Sequence, residues 1–198
     1  MTKAEMVQFV DHWEVIWGMN DARAISIILY ALDQTHGVPG AVVEMGCHFG
    51  TTSLFLRRYM DRYMPDKALH LYDGFQGLPE RTVEDGPEPM RYVKGACCTG
   101  ADLLIKHFLD AGLVLPTVHA GWFADATYPD VISFAFFDAD LFQPTMDSFA
   151  HVWPRLSIGG RVVVHDVGLV GCGTRRACET FGHPWTEEHG CATLVKTA

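Results

Sequence analysis

Gly40-Ala41-Val42-Val43-Glu44-Met45-Gly46-Cys47-His48-Phe49-Gly50-Thr51-Thr52-Ser53 is an apolar strand that feeds a glycine-spaced turn and then a helix. Ala41 to Val43 supply the short β-branched run, and Gly46 and Gly50 allow a tight turn and a close approach of backbone to ligand. Thr51 and Ser53 open a helix over Leu54, Leu56 and Tyr59. A dinucleotide loop needs G-x-G-x-x-G to bring backbone N–H groups onto a pyrophosphate, but the residue two after Gly46 is His48, whose side chain blocks that approach. What remains is Glu-x-Gly-x-x-x-Gly, which suits a zwitterionic, phosphate-free ligand. Glu44 is then a buried acceptor that ties the loop or reaches the ligand's ammonium, and S-adenosylmethionine is a ligand of that kind.

Composition narrows the classes. The 198 residues with 48% hydrophobic content suit one α/β domain with a full core. The formal charge is −9 and the 15 Lys and Arg are scattered, so no footprint for a phosphate backbone is present and nucleic acid is not expected as a partner. Asp11 and Glu14 interrupt the first 20 residues where a signal peptide needs an apolar core, and no apolar run reaches the ~18 residues of a membrane span. A cytoplasmic protein without a membrane partner is expected. The six cysteines (47, 97, 98, 172, 178 and 191) form no C-x-x-C pair and read as reduced thiols, the adjacent Cys97 and Cys98 as small loop or core residues.

Outward from the opening stretch, apolar periodicity predicts two helices before it, one through Phe9, Trp13, Ile16 and Trp17 and one through Ile25, Ile28, Leu29 and Leu32. Strand patterns follow at Ala41 to Met45, Leu69 to Tyr72, Thr117 to Ala120, Ile132 to Phe137, Arg161 to His165 and Ala192 to Lys196. Helical patterns alternate with them at Thr51 to Tyr59, Gly100 to Ala111, Pro144 to Trp153 and Thr174 to Phe181. This alternation predicts a doubly wound, mainly parallel sheet covered on both faces. Gly159-Gly160 reads as a tight turn before the fifth strand, and Arg81 to Pro89 as an irregular, mobile stretch. Arg175-Arg176 reads as a solvated helix face.

In an open parallel sheet, ligands bind beyond the carboxyl ends of the strands. Asp73, 23 residues after Gly50, ends the second strand, where a carboxylate accepts ribose hydroxyls; the alternative is a turn aspartate that caps Gly74-Phe75. Gly121-Trp122-Phe123 follows the third strand, where an aromatic lines an adenine slot or simply packs. The fourth strand ends in Asp138-Ala139-Asp140 and the fifth in His165-Asp166. Three carboxylates converging there suit a hard divalent cation such as Mg²⁺ holding a substrate hydroxyl beside a methyl donor. Alternatively, Asp138 contacts the cofactor while Asp140 and Asp166 cap the next helix and loop. His165 reads as an auxiliary base, a metal ligand or a hydrogen-bonded structural residue. His48, His119 and His151 have no positional argument for a role.

With these residues in hand, the chain resembles the class I S-adenosylmethionine-dependent methyltransferases, and specifically the macrocin O-methyltransferase (TylF-type) family of natural-product biosynthesis. The resemblance runs from residue 38 to 196. It rests on Val38-Pro39-Gly40 with the Glu-x-Gly-x-x-x-Gly loop, Tyr72-Asp73-Gly74-Phe75-Gln76-Gly77-Leu78-Pro79, Gly121-Trp122-Phe123, Asp138-Ala139-Asp140-Leu141-Phe142 and Pro154-Arg155-Leu156-Ser157-Ile158-Gly159-Gly160. The chain departs from the family pattern at His165-Asp166, in place of paired aspartates, and at Gly74, in place of serine. It also looks shorter at its N-terminus, so that the acceptor lid is expected to be abbreviated or supplied by a neighbouring subunit.

The resemblance implies a single-domain, Rossmann-like, seven-stranded α/β sheet. Residues 1–37 would be an N-terminal helical cap, lid or oligomer contact, and residues 38–198 the catalytic domain. It further implies methyl transfer to a hydroxyl of a small, sugar-type acceptor by a homo-oligomer. Glu44, Gly46, Cys47, Gly50, Thr51, Asp73, Gly74, Trp122, Phe123 and Asp138 would hold the cofactor. Asp138, His165 and Asp166 would be catalytic, and the same three would hold Mg²⁺ if a metal is used. Other readings stay open: a metal-dependent catechol or phenol O-methyltransferase, or a non-catalytic S-adenosylmethionine-binding partner protein. A nicotinamide oxidoreductase is disfavoured by His48.

Overall fold

In the computed structural model, which describes residues 1–14, 20–87 and 92–197, the opening stretch forms a strand, β1 (Ala41–Met45), buried along its whole length. It pairs in parallel with β2 (Leu69–Asp73) on one side and β4 (Ile132–Phe137) on the other. β3 (Thr117–Ala120) extends the sheet beyond β2, and β5 (Leu156–Val164) beyond β4, both in parallel. The order is β3-β2-β1-β4-β5-β7-β6, with β6 (Trp185–Glu188) and β7 (Cys191–Val195) antiparallel at the far edge. The chain leaves β1 in one direction and returns at β4 in the other. The gap between the carboxyl ends of those two strands is therefore the topological switch point.

Side-chain alternation divides the core. Val42, Phe134, Phe136 and Val163 face helices α1 (Lys3–Asp11), α2 (Ala22–Asp33), α3 (Thr51–Tyr63) and α4 (Ala101–Asp110). Val43, Met45, Ala135, Phe137 and Val164 face α5 (Phe142–Val152) and α6 (Thr174–Phe181). Burial on both faces is why β1 and β4 read as mostly apolar runs, broken only by Glu44 and Ser133. The first two helices belong to the same core: Met6 and Val10 of α1 and Ile25, Ile28, Leu29 and Leu32 of α2 are all buried in it. Asp21 caps α2 by accepting from the Ala24 N–H at 2.8 Å. No helix among the described residues is long and apolar enough to cross a membrane.

Several sequence expectations need correction. The first helix, opened by a Thr2–Glu5 capping box, ends at Asp11. Trp13 lies beyond it and lays its ring under the Arg58 guanidinium, 4.4 Å from the ring centre; Ile16 and Trp17 fall outside the described residues. Gly159-Gly160 is part of β5 rather than a turn before it. The pairing steps from Ile132 opposite Leu156 to Phe134 opposite Arg161, and Gly159, at φ +82°, takes up the surplus residues as a bulge. β6 was not among the strands read from the sequence.

Arg81 to Pro87 is anchored rather than loose. Val83–Asp85 forms a 3-10 turn, and the Arg81 guanidinium donates to the carbonyls of Tyr92, Asp85, Gly86 and Gly171. The remainder of that stretch, from residue 88, lies outside the described residues. Arg175 is also tied down, donating to the Val167 carbonyl and to Glu187, both at 2.7 Å.

Candidate active site

The loop after β1 is shaped by backbone contact. Gly46 has φ +88°, and a Cβ there would lie 2.1 Å from the Asp138 carbonyl oxygen, so only glycine lets the ends of β1 and β4 approach this closely. Its N–H donates to the Tyr72 carbonyl at 2.7 Å. Gly50, in the left-handed region, is the N-cap of α3 and offers no side chain to the first-turn N–H groups. A Cβ there would lie 2.4 Å from Leu104, and Gly50 is not among the residues that line the cavity described below. Glu44 is buried and accepts from Ser53 Oγ at 2.5 Å, which ties β1 to α3. Burial, with lesser help from Asp138 and Asp73, pushes its carboxyl up to about 8.

Asp73 takes the turn-capping role that the sequence offered and adds a bond that the sequence did not show. Oδ1 accepts from the Phe75 N–H at 2.7 Å, the turn-capping bond, and Oδ2 accepts from the His48 N–H at 2.8 Å, which fixes the glycine loop. Each carboxylate oxygen retains a lone pair, and the side chain lines the cavity. Burial pushes this carboxyl up against the pull of the two N–H donors.

At the switch point the ends of β4 and β5 bring three side chains together. His165 Nδ1 lies 3.2 Å from Asp138 Oδ1 and 3.0 Å from Asp166 Oδ1. It is shielded from solvent, yet neither carboxylate sits along its N–H axis as a hydrogen-bond partner. Burial opposes charge on the ring, but Asp138 and then Asp166 outweigh it and push the imidazole up to about 11. Asn20 Nδ2 donates to Asp138 Oδ2 at 2.9 Å and to Thr52 Oγ1 at 3.0 Å, joining the segment before α2 to the site. The far oxygen of Asp166, Oδ2, faces the Tyr92 hydroxyl at 3.4 Å and Cys172 Sγ at 3.9 Å. Asp140 is buried beside them, and burial, then Asp138 and Asp166, push its carboxyl well up. Neither aspartate caps α5; the buried Asp85 does so from a distance, accepting from the Phe142 N–H at 2.6 Å.

These groups open onto one cavity of about 770 Å³. Of the residues singled out in the sequence, Glu44, Gly46, Cys47, Thr51, Asp73, Gly74, Trp122, Phe123, Asp138, Asp140, His165 and Asp166 all line it. Trp122 is exposed, and a Cβ on Gly74 would stand in ordinary contact with its ring at 3.5 Å. Sequence reasoning missed Asn20, a lone polar residue whose partners are far along the chain, and His48, whose backbone rather than ring makes the key bond. His119 and His151 stack on Tyr72 and Tyr128 and stay out of the cavity.

Asp138, His165 and Asp166 also qualify as a donor set, one atom from each lying within 4.8 Å of the others. Octahedral ligands about 2.1 Å from an ion are spaced by about 3 Å on adjacent vertices. The separations of 3.0 and 3.2 Å from Nδ1, which are those of its ion pairs with the two carboxylates, also fit that pattern.

An open sheet of this order, with acidic residues at the carboxyl ends of β2, β4 and β5, is the class I methyltransferase fold. Its likeness to two solved structures gives the same answer. The O-methyltransferase NovP superposes with a TM-score of 0.81 at 20% identity, over 91% of this chain and 82% of NovP. The calicheamicin methyltransferase CalS11 superposes with a TM-score of 0.74 at 17% identity, over 98% and 90%. Within that class, the family model of macrocin O-methyltransferase (TylF) matches residues 21–191, and the chain belongs to this family.

Mycinamicin III 3''-O-methyltransferase of Micromonospora griseorubida is 30% identical over 171 residues, 80% of this chain and 65% of that protein. A tetracenomycin rhamnosyl 4'-O-methyltransferase of Streptomyces olivaceus is 30% identical over 148 residues, 69% and 56%. The chain thus spans less than two thirds of the length of these relatives.

Proposed function

We propose that the protein is an S-adenosylmethionine-dependent O-methyltransferase that acts in the cytoplasm on a hydroxyl of a small, sugar-type natural-product acceptor. The observation that carries this reading is the meeting of Asp138, His165 and Asp166 beside the Glu44–Ser53 loop, in one cavity large enough for a nucleoside and a second small molecule. The names of the relatives support the acceptor class, and six cysteines without a C-x-x-C pair suit a reducing compartment. Asn20 stands in the cavity wall, and the N-terminal segment that carries it is read as a cap or an oligomer contact.

In the reaction, the acceptor oxygen attacks the sulfonium methyl in line. The O–C bond forms as the C–S bond breaks, the sulfur keeps the electron pair, and the hydroxyl proton passes to a base. Most of the acceleration comes from holding oxygen and methyl in line about 3 Å apart. Glu44 and Asp73 orient the donor through the loop they tie, and Trp122 covers it. Asp138 takes the proton or holds the acceptor oxygen, while Asp166 and His165 fix the charge around it. A divalent cation held by Asp138, His165 and Asp166 would lower the acidity barrier of the hydroxyl; Mg²⁺ is the ion the family resemblance implies.

Transfer of labelled methyl from S-adenosylmethionine to a panel of deoxysugar glycosides tests the reading. Asp138→Asn is expected to lower turnover at least about a hundredfold while cofactor affinity stays within a few fold. Unchanged turnover removes Asp138 from the chemistry. A chelator and an added phenol in the same panel separate this reading from a catechol-type enzyme, and donor binding without any transfer favours a non-catalytic partner.

A further inference from the structure

The carboxylates around His165 are held in a one-sided way. Asp138 gives Oδ2 to Asn20 and turns Oδ1 toward the imidazole, 3.2 Å from Nδ1. Asp166 gives Oδ2 to Tyr92 and Cys172 and turns Oδ1 to the same nitrogen, at 3.0 Å. Donors behind the outer oxygens orient the inner ones, which is how supporting residues fix ligands around an ion. The inner atoms are two oxygens and one nitrogen, and that nitrogen has no aligned hydrogen-bond partner in the structure.

The nitrogen decides which ion such a site takes. Mg²⁺ is bound through oxygen and keeps most of its water. An imidazole nitrogen adds little for Mg²⁺ but strengthens binding of first-row transition ions, progressively from Mn²⁺ to Ni²⁺. We propose that the Asp138–His165–Asp166 site selects a first-row transition ion over Mg²⁺, with His165 as the selecting ligand. The proposal rests on the methyltransferase reading for the site's purpose, but the selectivity is measurable without turnover.

Calorimetric titration of the protein, free of donor and acceptor, with Mg²⁺, Mn²⁺, Co²⁺ and Ni²⁺ gives the order directly. Mn²⁺ is expected to bind at least about tenfold more tightly than Mg²⁺, and Ni²⁺ more tightly again. Pulsed electron paramagnetic resonance of the Mn²⁺ form should show coupling to one directly bound nitrogen, a readout on the wild-type protein that needs no variant. His165→Asp should bring Mg²⁺ within a few fold of Mn²⁺ and remove the nitrogen coupling. Equal affinity for Mg²⁺ and Mn²⁺, or Mn²⁺ bound without nitrogen coupling, overturns the proposal. So does the absence of any ion binding while S-adenosylhomocysteine still binds: the imidazolium is then the site's cation and the methyltransferase reading stands. The converse, ions bound in the stated order without nucleoside binding, supports the selectivity and removes the methyltransferase reading.

Discussion

Glu44 is the residue whose burial has the clearest measurable consequence. Its carboxyl is near 4.5 when unfolded and about 8 when folded, so between those values the folded protein binds the extra proton. The contribution of Glu44 to stability is therefore most favourable below pH 4.5, declines as pH rises, and is flat above about 8. Denaturant unfolding of the wild type and Glu44→Gln across this range should show the wild type losing ground by up to about 1 kcal/mol per pH unit relative to the variant. A pH-independent difference contradicts the assigned burial. At this scale the sequence was informative where residue type and strand end coincide, as at Glu44, Asp73, Asp138 and Asp166. Asn20 and Asp85 were not legible, because each makes its decisive bond to a residue far along the chain, Asp138 and Phe142 respectively, and no local spacing records it.

At the level of elements, the cap of α5 shows what the loop from Arg81 is for. Asp85 accepts from the Phe142 N–H and from the Thr82 N–H, both at 2.6 Å, so one buried carboxylate ties the 3-10 turn to the helix that follows the Asp138-Ala139-Asp140 segment. Asp85→Ala leaves two N–H groups unmet and should cost about 2 kcal/mol, read as a lower urea midpoint; Asp85→Asn, which keeps one acceptor, should cost less. Equal stability of wild type and Asp85→Ala contradicts the capping role.

The strands of the sheet centre were legible because burial on both faces leaves mostly apolar runs, as in Ile132–Phe137, where only Ser133 is polar. β6 was hidden because Trp-Thr-Glu-Glu is mostly exposed at the sheet edge. Its hairpin turn is His189-Gly190, with φ +48° and +73°, where the usual signal is Asn or Asp before glycine. The β5 bulge was likewise masked by a glycine pair that looks like a turn.

Over the whole molecule, charge bears on the acceptor. Eight Asp and Glu side chains line the cavity, Glu44, Asp73 and Asp140 among them with carboxyls pushed up by burial; His165 is the cation beside them, and no Lys or Arg is among the described lining residues. Such a lining favours a donor carrying sulfonium and ammonium charges and penalises anions that lack a cationic partner. A neutral glycoside is therefore expected to be methylated with kcat/KM at least about tenfold above the same sugar linked to a nucleoside diphosphate, about 1.4 kcal/mol in the transition state. The reverse preference, in a competition assay at fixed ionic strength, would place the acceptor's anion on residues outside the described lining.

The central claim, that the switch-point cavity takes S-adenosylmethionine, is tested most directly by calorimetric titration with S-adenosylhomocysteine, the demethylated product. The account predicts one site per chain with Kd of about 10 μM or tighter, about −7 kcal/mol, and little change in Asp138→Asn. Absence of binding by the folded protein would contradict it.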